Sequence, residues 1–103
     1  MNIKTAFSAG RLTIFLVGEL DHHQAKFVIN NVDELIDEYL PRECVLDLSE
    51  LGFMDSSGIA VIIRMSRRMN NLGGRAWIEN PSRQPQRVID ASGIDRLVPV
   101  SVR

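Results

Sequence analysis

Two short stretches of the chain gather residue types that do chemistry: Asp21-His22-His23, and Met54-Asp55-Ser56-Ser57-Gly58. A serine with histidine and carboxylate partners is the material of nucleophilic catalysis. Ser56 would be the nucleophile, His22 or His23 the base, and Asp21 or Asp55 the orienting group. Against this, Ser56 lacks the Gly-x-Ser-x-Gly elbow and no oxyanion pocket is indicated. Metal binding fares no better. Adjacent histidines on a helix point about 100° apart, so they do not form the two-ligand pair that i, i+4 spacing gives. No cysteine or third histidine supports a site. Modification is the third possibility. A hydroxyl where a loop enters a helix lies among backbone N–H groups carrying partial positive charge, and a phosphate added there meets free amides. On physics alone, most serines at such points are plain N-caps. Asp21 as a cap and the histidines as solvated first-turn residues are likewise adequate.

The elements that must position these stretches follow from periodicity. Ile3, Thr5 and Phe7 alternate with Lys4 and Ala6, which predicts a strand. After a turn at Ala9-Gly10, Arg11 to Val17 reads as the second strand of a hairpin, buried on both sides. Asp21, with Gln24 three residues on, opens a helix in the manner of a capping box. Ala25, Val28, Ile29, Val32, Leu35, Ile36 and Tyr39 form its apolar stripe, and Pro41 stops it. Cys44 to Leu48 predicts a buried strand that returns parallel after the crossover. Ser49 to Asp55 reads as a loop. A second helix follows from about Ser57 to Leu72, its stripe continued by Met65, Met69 and Leu72. Gly73-Gly74 caps it, Arg75 to Glu79 predicts a strand, and Ser82 starts a third helix ending before Gly93. Leu97 to Val102, with Pro99, suits an edge strand. The order β-β-α-β-α-β-α-β predicts an α/β fold: a mixed four- to five-stranded sheet with helices packed on it.

Bulk properties exclude several classes. The chain has 103 residues, of which 45% are hydrophobic, fitting a single globular domain over 1–103. Lys and Arg number 12 against 13 Asp and Glu, a formal net charge of -1, so no strongly basic face for nucleic acid is expected. No apolar run approaches a membrane span, and Met1 to Gly10 has no signal-peptide pattern. The one cysteine, Cys44, cannot form an internal disulfide and fits a reducing compartment. A cytoplasmic protein without cofactor is expected.

Gly18-Glu19-Leu20-Asp21-His22-His23, followed by Leu48-Ser49-Glu50-Leu51-Gly52-Phe53-Met54-Asp55-Ser56-Ser57-Gly58, closely resembles the anti-sigma factor antagonists of spore-forming bacteria, which have the STAS fold. Asn80-Pro81-Ser82 and Val88-Ile89-Asp90-Ala91-Ser92-Gly93-Ile94 resemble the same family's third-helix region. The resemblance implies that Ser56, the first serine of Asp-Ser-Ser-Gly, is the phosphoacceptor. It implies a partner that is both an anti-sigma factor and an ATP-dependent serine kinase. Unphosphorylated antagonist binds that partner and frees the sigma factor; phosphorylated antagonist lets go, and a PP2C-type phosphatase resets it. Gly18, Glu19, Asp21, His22, His23, Met54, Asp55, Ser56, Ser57 and Gly58 are the implied partner-binding residues. The resemblance also allows a scaffold or accessory subunit of a signalling or transport complex.

Several residues are read in two ways. Arg64, Arg67 and Arg68 form a solvated face or meet an acidic partner patch. Met54 is core filler or, as slightly favoured, an exposed adaptable contact. Cys44 reads as core. Pro85 departs from the family's apolar residue and forces the third helix to start near Ser82. The family typically continues with a C-terminal helix beyond the point where this sequence ends at Arg103. Its absence is expected to leave part of the sheet or a helix flank uncovered and to permit weak self-association.

Overall fold

The computed structural model describes residues 1–102. Strands β1 (Asn2–Ser8) and β2 (Arg11–Leu20) form the expected hairpin, antiparallel with Asn2 opposite Val17 and Ser8 opposite Arg11. Leu12, Ile14 and Leu16 are fully buried, whereas Thr13, Phe15 and Val17 are only partly covered. Burial on both sides therefore holds for one face alone. The reason lies in the layers. Leu12, Ile14 and Leu16 share one core with residues from all three helices, which places the helices on that face of the sheet.

Helix α1 (His22–Tyr39) buries Val28, Val32 and Ile36 and ends on Leu40, left-handed at φ 43°, just before Pro41. Strand β3 (Glu43–Asp47) runs parallel to β2, setting Cys44 beside Leu12 and Leu46 beside Ile14. Burial pushes the Cys44 thiol up to about 12, so it behaves as an inert core group. Helix α2 (Ser56–Asn71) buries Val61, Ile62, Met65 and Met69. Leu72, expected in that stripe, is 47% exposed because the helix has already ended.

Strand β5 (Arg75–Glu79) lies parallel to β3. Helix α3 (Arg83–Ser92) carries Pro85 in its first turn, where the missing N–H has no helical partner to lose. A short 3-10 turn, Ile94–Arg96, precedes β6 (Val100–Ser101), a two-residue edge strand parallel to β5. It is shorter than the span from Leu97 to Val102 expected of it, since the turn takes up the approach.

The sheet has six strands rather than four or five, in the order β1-β2-β3-β5-β6. The sixth is β4 (Leu51–Met54), inside the segment expected to be a loop, and it pairs with β2 alone. Strand β2 thus changes partners along its length. Arg11 to Phe15 pair with β3, while Gly18 to Leu20 pair with β4 across a bulge at Gly18 and Glu19. Gly18 sits at φ +119°, a conformation that favours glycine, and its N–H donates to the Glu50 carbonyl at 3.2 Å.

Helices α1 and α2 are tied by charge as well as by packing. Arg64 grips Asp33 with two hydrogen bonds, Nε to Oδ1 at 3.1 Å and NH2 to Oδ2 at 3.0 Å. Arg68 reaches Asp33 at 3.1 Å and also bonds Asp37. Two of the three arginines expected on a solvated face are therefore engaged within the molecule, and Arg67 alone of the three has no partner among the described residues. The Arg64 hydrogen bonds, more than its charge alone, hold the Asp33 carboxyl below the usual aspartate range.

Candidate functional site

The site is built where β2 and β4 end side by side. Leu20 and Met54 are register partners in the parallel pair, and the Asp55 N–H donates to the Leu20 carbonyl at 3.2 Å. One residue beyond each stands an aspartate that caps a helix. The Asp21 carboxylate accepts from the N–H groups of His23 at 3.0 Å and Gln24 at 3.1 Å. The Asp55 carboxylate accepts from the Ser57 N–H at 2.8 Å. Both caps quench helix donors and place negative charge at a positive helix end. The two chemistry-bearing stretches are thus brought together, Asp21 beside Asp55.

Asp55, not a serine, takes the cap of α2. Ser56 becomes the first helical residue, exposed to solvent, and its hydroxyl has no hydrogen-bond partner among the described residues. Ser57 is half-buried with its N–H committed to Asp55. Gly58 is buried, and its packing explains its identity. A Cβ there would stand 2.1 Å from Met54 Cγ and 2.4 Å from Met54 Sδ. Met54 itself is 1% exposed. The reading of Met54 as an exposed contact is corrected: its side chain fills the core beneath the α2 turn. Only its backbone is reached, by Gln84 from α3. The Gln84 side-chain amide accepts from the Met54 N–H at 2.8 Å and donates to the Met54 carbonyl at 2.9 Å. The Ser82 hydroxyl likewise donates to the Leu51 carbonyl. These two polar groups pin α3 against β4.

Gly18 and Glu19 form the bulge that feeds the site, Glu19 exposed and opposite Phe53. His22 and His23 are exposed at the start of α1. Their rings do not diverge; they lie against each other, centroids 3.9 Å apart. Neither ring is bonded to Ser56, so the nucleophile–base–orienter chain is not assembled among the described residues. No cluster of three or more His, Cys, Asp or Glu there is placed to hold a metal.

Beside Ser56 runs a groove of about 390 Å³ between α2 and α3, lined by Ser56, Ile59, Arg87, Val88, Ala91 and Ser92. Its floor is apolar, and Arg87 is its one charged wall. Gln84, Ser82 and Arg87 have roles that the sequence did not reveal. The partners of Gln84 and Ser82 lie about thirty residues away, and no local spacing signals such a contact.

Comparison with known proteins supplies the context. The STAS domain model matches residues 2–102. The chain is 34% identical over 100 residues to an anti-sigma F factor antagonist of Paenibacillus polymyxa, covering 97% of this chain and 86% of that one. Its fold superposes on the anti-sigma factor antagonist SpoIIAA in its unphosphorylated form with a TM-score of 0.81 at 25% identity, over 96% of this chain and 87% of the other. SpoIIAA in the phosphorylated form, described as a Bacillus cell fate determinant, matches with a TM-score of 0.72 at 25% identity, over 96% and 90%.

Proposed function

The chain belongs to the STAS domain family, and we propose from that premise that it is an anti-sigma factor antagonist whose binding is switched off by phosphorylation of Ser56. The carrying observation is the free hydroxyl. Because Asp55 makes the helix cap, Ser56 stands exposed at the first position of α2 with nothing to satisfy inside the fold. In this reading the protein performs no catalysis of its own. A cytoplasmic anti-sigma factor with serine kinase activity binds the unmodified end formed by Gly18, Glu19, Asp21, His22, His23, Asp55, Ser56, Ser57 and Gly58, and so releases its sigma factor. The kinase moves the γ-phosphoryl group of ATP onto Ser56 Oγ, forming the ester as the bond to ADP breaks and ADP departs, the hydroxyl proton leaving to solvent. A PP2C-type phosphatase hydrolyses the ester and restores the hydroxyl.

The physical effect is local. Phosphoserine carries about -1.5 to -2 charges at neutral pH. It stands next to Asp55 and across from Asp21, while the α2 N-terminus offsets only about 0.3–1 kcal/mol of that repulsion. At an interface matched to a neutral hydroxyl, a hundredfold loss of affinity needs roughly 2.8 kcal/mol, within reach of one misplaced charge. The fold itself has no reason to change. Incubation with the kinase and ATP, followed by peptide mass spectrometry, tests the acceptor: phosphate should map to Ser56, and Ser56→Ala should take none. Phosphate on another residue of wild type would refute the assignment.

A further inference from the structure

We propose, on the reading of Ser56 as phosphoacceptor, that Arg87 receives the phosphoryl group of phosphorylated Ser56 and draws it across the mouth of the α2–α3 groove. The two residues line the same groove from opposite helices. Their facing is set by the fold. Gln84 clamps the Met54 backbone, two residues before Ser56, with paired hydrogen bonds, which fixes one side of α3 against the end of β4. Residues three apart on a helix share a face, so Arg87 lies one turn farther along that side. On α2, Ser56 and Ile59 are also three apart and line the groove together.

Arg87 is uncommitted. It has no ion pair or hydrogen bond among the described residues, and Asp90, the acid within a turn of it, is engaged by the Gln86 amide at 2.8 Å. Of the other charged groups at this end, Asp55 and Asp21 repel a phosphate, and neither His22, His23 nor Arg83 lines the groove. A guanidinium is suited to phosphate because its planar fork donates two parallel hydrogen bonds. The floor under that pair is Ile59, Val88 and Ala91, which excludes competing water from one side. Phosphorylation would then do two things at once: set charge beside Asp55 and close an apolar groove that the unmodified protein leaves open.

The test uses the full chain with phosphoserine installed at position 56 by codon expansion, so it does not depend on any kinase. Phosphorus NMR follows the second ionisation of the phosphate, near pH 6 in the free amino acid. Arg87→Gln should raise that pKa by about half a unit, the size expected for losing one exposed ion pair. Arg83→Gln, one turn earlier and outside the groove, should leave it unchanged. Equal pKa values in the wild type and Arg87→Gln would overturn the clamp, as would an equal shift from Arg83→Gln. Thermal unfolding of Arg87→Gln is expected to match wild type, since the side chain is exposed. Titration of the phosphoserine chain against the anti-sigma factor keeps the two ideas separate. Undiminished binding would refute the switch, whereas lost binding with no Arg87 effect on the phosphate would refute the clamp alone.

Discussion

Helices α1 and α2 begin in the same way, side by side, yet only the start of α2 carries an exposed hydroxyl, the one assigned to the proposed switch. Each follows the end of a parallel strand, and each is capped by an aspartate carboxylate, Asp21 or Asp55. All three of their opening residues differ, and two of those differences matter here. The first helical residue is His22 in α1 and Ser56 in α2, both exposed. The third is Gln24 in α1, half-buried, and Gly58 in α2, buried against Met54. A hydroxyl on a helix start accepts a phosphoryl group without disturbing the cap. The start that bears it is also the one held from beneath, by Met54, and from beside, by Gln84. In the proposed switch, chemistry at Ser56 would act from a start braced by Met54 and Gln84.

The largest structural effect should come from removing the difference at the third helical position. In an ordinary helix, Gly→Ala gains about 1 kcal/mol from propensity. Gly58→Ala should instead lose about 1–3 kcal/mol, because Met54 is enclosed and cannot swing clear of the new methyl. Urea unfolding measures it. Gln24→Ala, at the matching site of α1, should stay within about 0.5 kcal/mol. A stabilised Gly58→Ala would remove the Met54 brace from the comparison.

Next in size are the caps. Asp21→Ala and Asp55→Ala should each cost about 1 kcal/mol of stability by chemical unfolding, since both carboxylates satisfy helix N–H donors. Asp55→Asn keeps an acceptor and should recover most of that loss. If Asp55→Ala proved neutral, the Ser56 hydroxyl would be able to take over the cap, and its freedom would be overstated.

The smallest effect concerns the arginine ties that hold the two starts in register. Asp33 ionises more readily in the fold than in the unfolded chain because Arg64 and Arg68 bond its carboxylate. Its contribution is therefore complete above the ordinary aspartate range and disappears as pH falls through the lowered folded value. Asp33→Asn should flatten the acid limb of a stability-against-pH curve, with a difference at neutral pH of only about 0.2–1 kcal/mol for so exposed a pair. An unchanged acid limb would show that packing alone aligns the helices.

The parts of this arrangement legible in the sequence are those with a local signal. Alternation marked the hairpin, 3.6-residue spacing marked α1 and α2, Asp21 marked the start of α1, and Pro85 marked the beginning of α3. Strand β4 had no such signal. Its four residues run buried, exposed, exposed, buried, a pattern without a two-residue period, and its partner is the far end of β2. Met54 looked like a loop-tip contact for the same reason: once Leu51 to Met54 is a strand, its last side chain turns into the core. The arginines of α2 found acids on α1 about thirty residues away, and Gln84 found the Met54 backbone at a similar distance. Such contacts depend on how elements pack, which periodicity does not encode. The motif resemblance singled out Ser56 as the residue to propose, but that Asp55 rather than a serine makes the cap is visible only in three dimensions.

The decisive measurement is calorimetric titration of the anti-sigma factor kinase with wild type, Ser56→Ala and Ser56→Asp. Ser56→Ala should bind like unmodified wild type. Ser56→Asp should bind about a hundredfold more weakly, a loss of roughly 2.8 kcal/mol, while keeping a melting temperature close to wild type. Equal affinity of Ser56→Asp and wild type would contradict a charge switch at this helix start, and unfolding of Ser56→Asp would assign Ser56 a structural role instead.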